Sequence, residues 1–371
     1  MKKLAIIGAG YLQEPLVLKA KEMGIYTICF AWKEGAVCAE VVDKFYPISI
    51  IEKEEILAIC ISEKIDGICT IASDVAAPTV AYVANNMGII GNNYDAAVRA
   101  NNKALMREAF YKADVPCPWF QKITSYTDLK DKDLKFPLIV KPVDRSGSMG
   151  VSKVNNNAEL RIAINQALSD SFLKQAMVEQ FVDGREISVE FISYKGQHYP
   201  LAITDKVTTE APHFVELEHH QPSNLSDAIK TEINAITVKA LNALGITNGA
   251  SHTEYKITAD GEIFIIELGA RMGGDFIGSD LVQLSTGYDF LKGVIEVALN
   301  KFNVPILNRK SYSGVYFLCK ETEYVKPYIL NYQSHPQIIK AEISNEELKN
   351  ITCSAERSGY FIYQSNKKVK I

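Results

Sequence analysis

A chain of 371 residues, 47% apolar and with a formal charge of -4, has room for two or three domains with substantial cores. The balanced charge (pI ≈ 6.0), without a basic stripe, excludes a nucleic-acid surface. Seven scattered cysteines without CxxC spacing exclude a zinc site or a disulfide framework and fit reduced thiols. No apolar run approaches the roughly 18 residues of a membrane span, and no charged leader precedes the first strand, so a cytoplasmic protein without membrane contact is expected.

Residues 1 to 98 alternate strand and helix: Lys3 to Ile7, Glu14 to Met23, Tyr26 to Phe30, Glu54 to Lys64, Gly67 to Thr70 and Val75 to Met87. This rhythm predicts a parallel sheet with helices on both faces. The first turn, Gly8 to Gln13, opens like a dinucleotide fingerprint, but Gln13 stands at the third glycine and Phe30-Ala31-Trp32 replaces the ribose-binding acid. A nicotinamide site is therefore disfavoured, and the helix start is left as a place for a small anion.

From residue 99 the organisation changes. A helix carrying Asn102, Lys103 and Arg107 leads to the strand Phe136 to Pro142, which holds Lys141. The loop after it contains Ser146, Gly147, Ser148, Met149 and Gly150, whose glycines let successive N-H groups turn toward phosphate oxygens. Ala176 to Phe191 reads as two strands broken at Asp183-Gly184, the second with one buried face. Residues 205 to 226 read as a long polar connection, of the kind that serves as a lid or binding segment. His252 to Lys256 and Ile265 to Asp275 flank the turn Ala259-Asp260-Gly261 as a hairpin, bringing Glu254 and Glu267 together with Arg271 just beyond. Two carboxylates that close repel unless a cation intervenes, and a hard divalent ion with oxygen ligands is the simplest one. Strand candidates at Gly314 to Cys319, Gln337 to Ile343 and Gly359 to Tyr363 follow, with no catalytic constellation in the tail.

Lys103, Lys141, the Ser-Gly loop, Glu179 to Val182, Glu186, Glu254, Glu267 and Arg271 occur in an order and spacing that resembles the ATP-grasp superfamily. Asp205-Lys206, Phe214 to Pro222 and Ser251 to Glu254 resemble its carboxylate-amine ligase branch, which includes bacterial L-amino acid ligases. The resemblance implies an α/β architecture: a pre-ATP-grasp parallel-sheet domain (1-98), a two-lobed α+β ATP-grasp core (99-305, small lobe about 115-190) and a small β-rich C-terminal subdomain (306-371). By position, Lys103, Lys141 and the backbone of Ser146 to Gly150 would hold ATP phosphates. Glu179, Gln180, Phe181 and Val182 would form the hinge at the adenine, and Glu186 would bind the ribose. Glu254 and Glu267 would ligate Mg2+, with Mn2+ a substitute; Arg271 would face the substrate carboxylate and its acyl phosphate. Glu216 and His219 would meet the amino-acid substrate.

Two departures stand out. Gly269 replaces the asparagine often found two residues after the second metal glutamate, so one metal would need a water or a bidentate carboxylate. Asn102 replaces an aspartate. The implied activity is an ADP-forming ligase for a small acid and an amine. ATP-dependent carboxylation of an amine, or a nucleotide-binding regulator without turnover, are the rival readings. A homodimer is the oligomer considered.

Overall fold

The computed structural model describes residues 1-129, 134-145, 149-209 and 213-371, and its strands form three sheets. β1 (Lys3–Ile7), β2 (Tyr26–Phe30), β3 (Lys44–Tyr46) and β4 (Gly67–Cys69) pair in parallel in the order β3-β2-β1-β4. Leu4 and Ile6 pack with Leu16, Val17 and Ala20 of the helix Glu14–Glu22. Ala5 and Ile7 pack on the opposite face with Ile56, Cys60 and Val83. Burial on both faces is what continuous apolar strands of a parallel sheet require. The short edge strand β3 was not apparent in the sequence.

β5 (Phe120–Ile123), β6 (Leu138–Pro142), β7 (Ser152–Val154) and β8 (Ala176–Gln180) form an antiparallel sheet in the order β5-β8-β6-β7, backed by the helix Asn157–Asp170. Lys141 therefore sits on an interior strand.

The remaining strands form one antiparallel sheet: β9 (Arg185–Tyr194), β10 (Gln197–Thr208), β11 (Glu216–Gln221), β12 (Gly249–Ile257), β13 (Ile263–Gly269), β14 (Tyr312–Leu318), β15 (Ile338–Ile343) and β16 (Gly359–Ser365). Their order is β13-β12-β9-β10-β11-β14-β16-β15. The C-terminal strands thus extend the central sheet. β9 is buried on both faces rather than one, because Val189 and Phe191 pack on the helices Lys103–Lys112 and Asp227–Leu244 while Ile192 packs toward the first sheet.

The segment read as a long polar connection holds strand at two places, the end of β10 and the whole of β11. β10 runs to Thr208 and pairs with β11, with Lys206 opposite His219 and Asp205 opposite His220. Polar side chains hid the strands because they face one another and a cavity, which removes the alternation that marks a strand with one solvated face.

The first sheet docks onto the third through backbone. Ile71, just past β4, forms a parallel bridge with Met272, and the Ala72 N-H donates to Met272 O at 3.1 Å. Below this seam the helix Phe290–Ala298 shares a core with Leu4, Ile6 and Ile25.

Candidate active site

The sheets enclose a cavity of about 390 Å³, with walls from the first domain (Leu12, Asp74), the second sheet (Lys141, Gln180) and the third (Glu254, Glu267). β12 and β13 form the expected hairpin, and Glu254 lies directly opposite Glu267 in its register. Each carboxylate is met by a cation: Lys103 Nζ lies 2.7 Å from Glu267 Oε1, and Lys206 Nζ lies 2.7 Å from Glu254 Oε1. Lys103 is the first residue of its helix. Asn102 Oδ1 caps that helix by accepting from the N-H groups of Ala104 and Leu105, each at 3.1 Å. An asparagine caps as well as an aspartate, so the departure at 102 leaves the lysine in place.

Lys141 and Arg107 both pair with Glu179, the arginine at 3.1 Å; Arg107 also donates to Ile266 O at 2.6 Å. All three side chains are buried. Burial pushes the Glu179 carboxyl up, but the two cations outweigh it and hold the acid below its ordinary range. Burial also holds the Lys141 amine below its own range, against the pull of Glu179. Two cations against one anion leave a surplus positive charge, which an anionic ligand would relieve.

Lys206, to which the sequence assigned no role, is buried among Glu186 (2.7 Å), Glu254 (2.7 Å) and Glu216 (3.4 Å). Desolvation opposes its charge, yet the three carboxylates raise its pKa well above the usual lysine range. Glu186 also meets Lys256 at 3.0 Å. In the segment expected to form the hinge, Gln180 donates its N-H to Trp119 O at 2.9 Å. Phe181 donates to Pro137 O at 3.4 Å, whereas the Val182 N-H has no partner among the described residues. All three line the cavity, as does Met149, and Gly150 adopts φ 71. Ser146, Gly147 and Ser148 lie outside the described residues.

Behind Glu254, His252 Nδ1 lies 2.5 Å from Glu190 Oε1, and its Nε2 lies 3.5 Å from Glu254 Oε1. Burial pushes the imidazole down, but the enclosed Glu190 and then Glu254 raise it to about 9. Glu190 Oε2 also accepts the Gly273 N-H at 3.0 Å. A Cβ at 273 would stand 2.6 Å from Glu190 Oε1 and 2.7 Å from His252 Nδ1. Gly273→Ala should therefore overpack this pair and cost about 1–3 kcal/mol; an unchanged thermal midpoint would contradict the packing described.

Arg271 lines the cavity and is gripped by Asp74 of the first domain, Nε to Oδ1 at 2.8 Å and Nη2 to Oδ2 at 2.7 Å. His219 and Glu216 also line the cavity, from strand β11 rather than a loop. Both His219 ring nitrogens are buried without a hydrogen-bond partner among the described residues, and Asp275 Oδ2 lies 3.8 Å from Nε2.

The tail does reach the site. Arg357 forks onto Asp275 at 2.9 and 2.7 Å and stacks 3.7 Å over Phe317, while Thr352, Cys353 and Ser354 line the cavity. These contacts span 82 residues of sequence, and no local pattern announces them. The anion place suggested at the first turn is filled from within. Gln13 Oε1 accepts the Gly10 N-H at 3.1 Å, and its amide donates to Ile71 O at 2.8 Å.

Residues 134–280 match the ATP-grasp domain family. The alanine-anticapsin ligase of Bacillus subtilis is 31% identical over 263 residues, covering 62% of this chain and 55% of that protein. A D-alanine-D-alanine ligase of Flavobacterium johnsoniae is 32% identical over 148 residues, covering 38% and 45%. The chain spans about half the length of the curated relatives it matches. The crystal structure of an L-amino acid ligase from Bacillus licheniformis superposes with a TM-score of 0.83 at 23% identity, over 99% of this chain and 94% of that one. An N5-carboxyaminoimidazole ribonucleotide synthetase in complex with ADP superposes at 0.81 with 18% identity, over 99% and 93%. Domain match, relatives and fold agree with the lysines and opposed glutamates gathered in one cavity: residues 134–280 carry an ATP-grasp domain.

Proposed function

We propose that the chain is an ATP- and Mg2+-dependent ligase that joins a small carboxylic acid, an amino acid, to an amine through an acyl phosphate, releasing ADP and phosphate. The observation that carries this reading is the register pair Glu254 and Glu267, flanked by Lys103 and Lys206, in a cavity that also holds Arg271 and His219.

A divalent ion fits this donor set. No cluster of three or more acidic, histidine or cysteine ligands converges among the described residues, so the ion would draw its remaining oxygens from nucleotide phosphates and water. Glu254 and Glu267 would hold it, and when bound it supplies charge neutralisation at the transferring phosphoryl group.

The chain's own groups divide the remaining work. The surplus charge at Lys141 and Arg107, with Lys103, favours the triphosphate. The Val182 N-H would offer a donor to the adenine edge, and Glu186 would bind the ribose hydroxyls. Activation is needed because a carboxylate would have to expel oxide. On the acyl phosphate, an amine attacks the carbonyl carbon, an oxyanion forms and phosphate leaves. Arg271 supplies forked donors to that charge. The unpartnered His219 can accept the proton the amine loses, with Glu216 nearby to meet the amino-acid substrate.

The enzyme with ATP, Mg2+, an amino-acid panel and hydroxylamine should form a hydroxamate with the true acid, and mass spectrometry should find the amide when the amine is added. Absence of hydroxamate across the panel, with ADP release that depends on bicarbonate, would instead favour carboxylation of an amine.

A further inference from the structure

We propose that Asp74 of the first domain is a positioning residue for Arg271, and that residue 269 is glycine so that the Asp74 carboxylate can take the space of its side chain. This rests on the reading of Arg271 given above.

Asp74 and Arg271 are 197 positions apart in sequence, yet the carboxylate meets the guanidinium with both oxygens, at 2.8 Å on Nε and 2.7 Å on Nη2. A planar fork engaged along one edge cannot rotate, so the remaining donors keep one direction. Of these, Nη1 has only a long contact among the described residues, 3.4 Å to Met272 O, and stays available at the cavity wall.

The loop carrying Asp74 is itself fixed on two sides, at Met272 and at Gln13. Ile71 bridges Met272, Ala72 donates to Met272 O from a left-handed backbone (φ 57), and Gln13 holds Ile71 O at 2.8 Å. Left-handed alanine costs energy, which persists only where the surroundings over-determine it.

Gly269 supplies a separate observation. A Cβ built there would overlap Asp74 Oδ1 and lie 3.2 Å from Arg271 Nε. Any side chain at 269 would have to displace the carboxylate or the arginine. The missing side chain on β13 and the intruding acid from the first domain are therefore one device, and the first domain, whose fingerprint turn is spent on Gln13, acts on the site through it.

The test is a double-mutant cycle of Asp74→Ala, Gly269→Ala and both together, read as kcat, KM for Mg·ATP and thermal midpoint. Displacement of a positioned group by an ångström costs about 100-fold in rate, so Asp74→Ala should lower kcat by about that factor and leave KM for Mg·ATP within about twofold. Gly269→Ala should give a similar loss, and the double variant should be no worse than the poorer single one. Losses that multiply in the double variant would overturn the proposal, as would a lowered midpoint with unchanged kcat in Asp74→Ala. If Asp74→Ala fails to fold, Asp74→Asn keeps the volume and replaces it in the cycle. If the unsubstituted enzyme forms no hydroxamate, the ligase reading fails on its own. Arg271 is then read by calorimetry of inorganic phosphate on the Mg·ADP-loaded protein: a roughly tenfold weaker affinity in Asp74→Asn supports positioning, and equal affinities overturn it.

Discussion

Glu179→Gln is expected to destabilise the protein by about 3–5 kcal/mol and to abolish nucleotide binding together with it. Among the described residues Glu179 is the one carboxylate that pairs with both Lys141 and Arg107, and all three are enclosed. A neutral amide would leave two buried cations facing each other without an anion, and their desolvation is then uncompensated. The effect should centre on the second sheet, because Lys141 lies on β6, Glu179 on β8, and the helix bearing Arg107 joins them to β13 through Ile266 O. Chemical denaturation gives the stability change, and titration with a fluorescent ATP analogue gives the binding. Adding Lys141→Met should recover part of the stability, since one cation is removed, but none of the binding. A Glu179→Gln protein of unchanged stability would refute this account of the triad.

Glu254→Gln should behave in the opposite manner, with stability nearly preserved and turnover lost. Lys206 keeps Glu186 at 2.7 Å and Glu216 at 3.4 Å when Glu254 is neutralised, so no cation is stranded. The reaction loses an anionic oxygen donor to the divalent ion. That contribution is several kcal/mol at the transition state, so ADP release should fall by about 1000-fold. The apparent Mg2+ requirement of the residual activity should rise, which a titration at saturating ATP would show. A variant with near-normal turnover would remove Glu254 from the metal site, and one that unfolds would show that the carboxylate is chiefly structural.

The contrast between these two glutamates was not legible in the sequence. Both stood in recognisable places, but their burden differs through partners such as Arg107 and Lys206, which only the fold supplies. The hairpin of β12 and β13 was legible because Asp260-Gly261 marks its turn and apolar residues flank it. The parallel first domain was legible for a similar reason, in its alternating apolar strands and helices. β11 was not, because Glu216, Glu218, His219 and His220 make a polar strand: Glu216 and His219 line the cavity, while His220 bonds Glu218 and Tyr363. Arg357 and Asp74 were hidden more completely: each acts on a residue far away in sequence, and no spacing rule links a tail arginine to Asp275 or a loop aspartate to Arg271. Gly269 was visible as an anomaly, and its explanation came from the first domain's carboxylate.

The pairing of β11 with β14 has a bearing on how this chain could be shortened. β11 carries Glu216 and His219, and its outer neighbour comes from beyond residue 311. A version trimmed at that point would turn a functional strand into an open rim of unpaired amides and carbonyls, apt to recruit a second chain. Any minimal catalytic fragment must therefore retain β14, although β14 contributes no residue to the cavity lining.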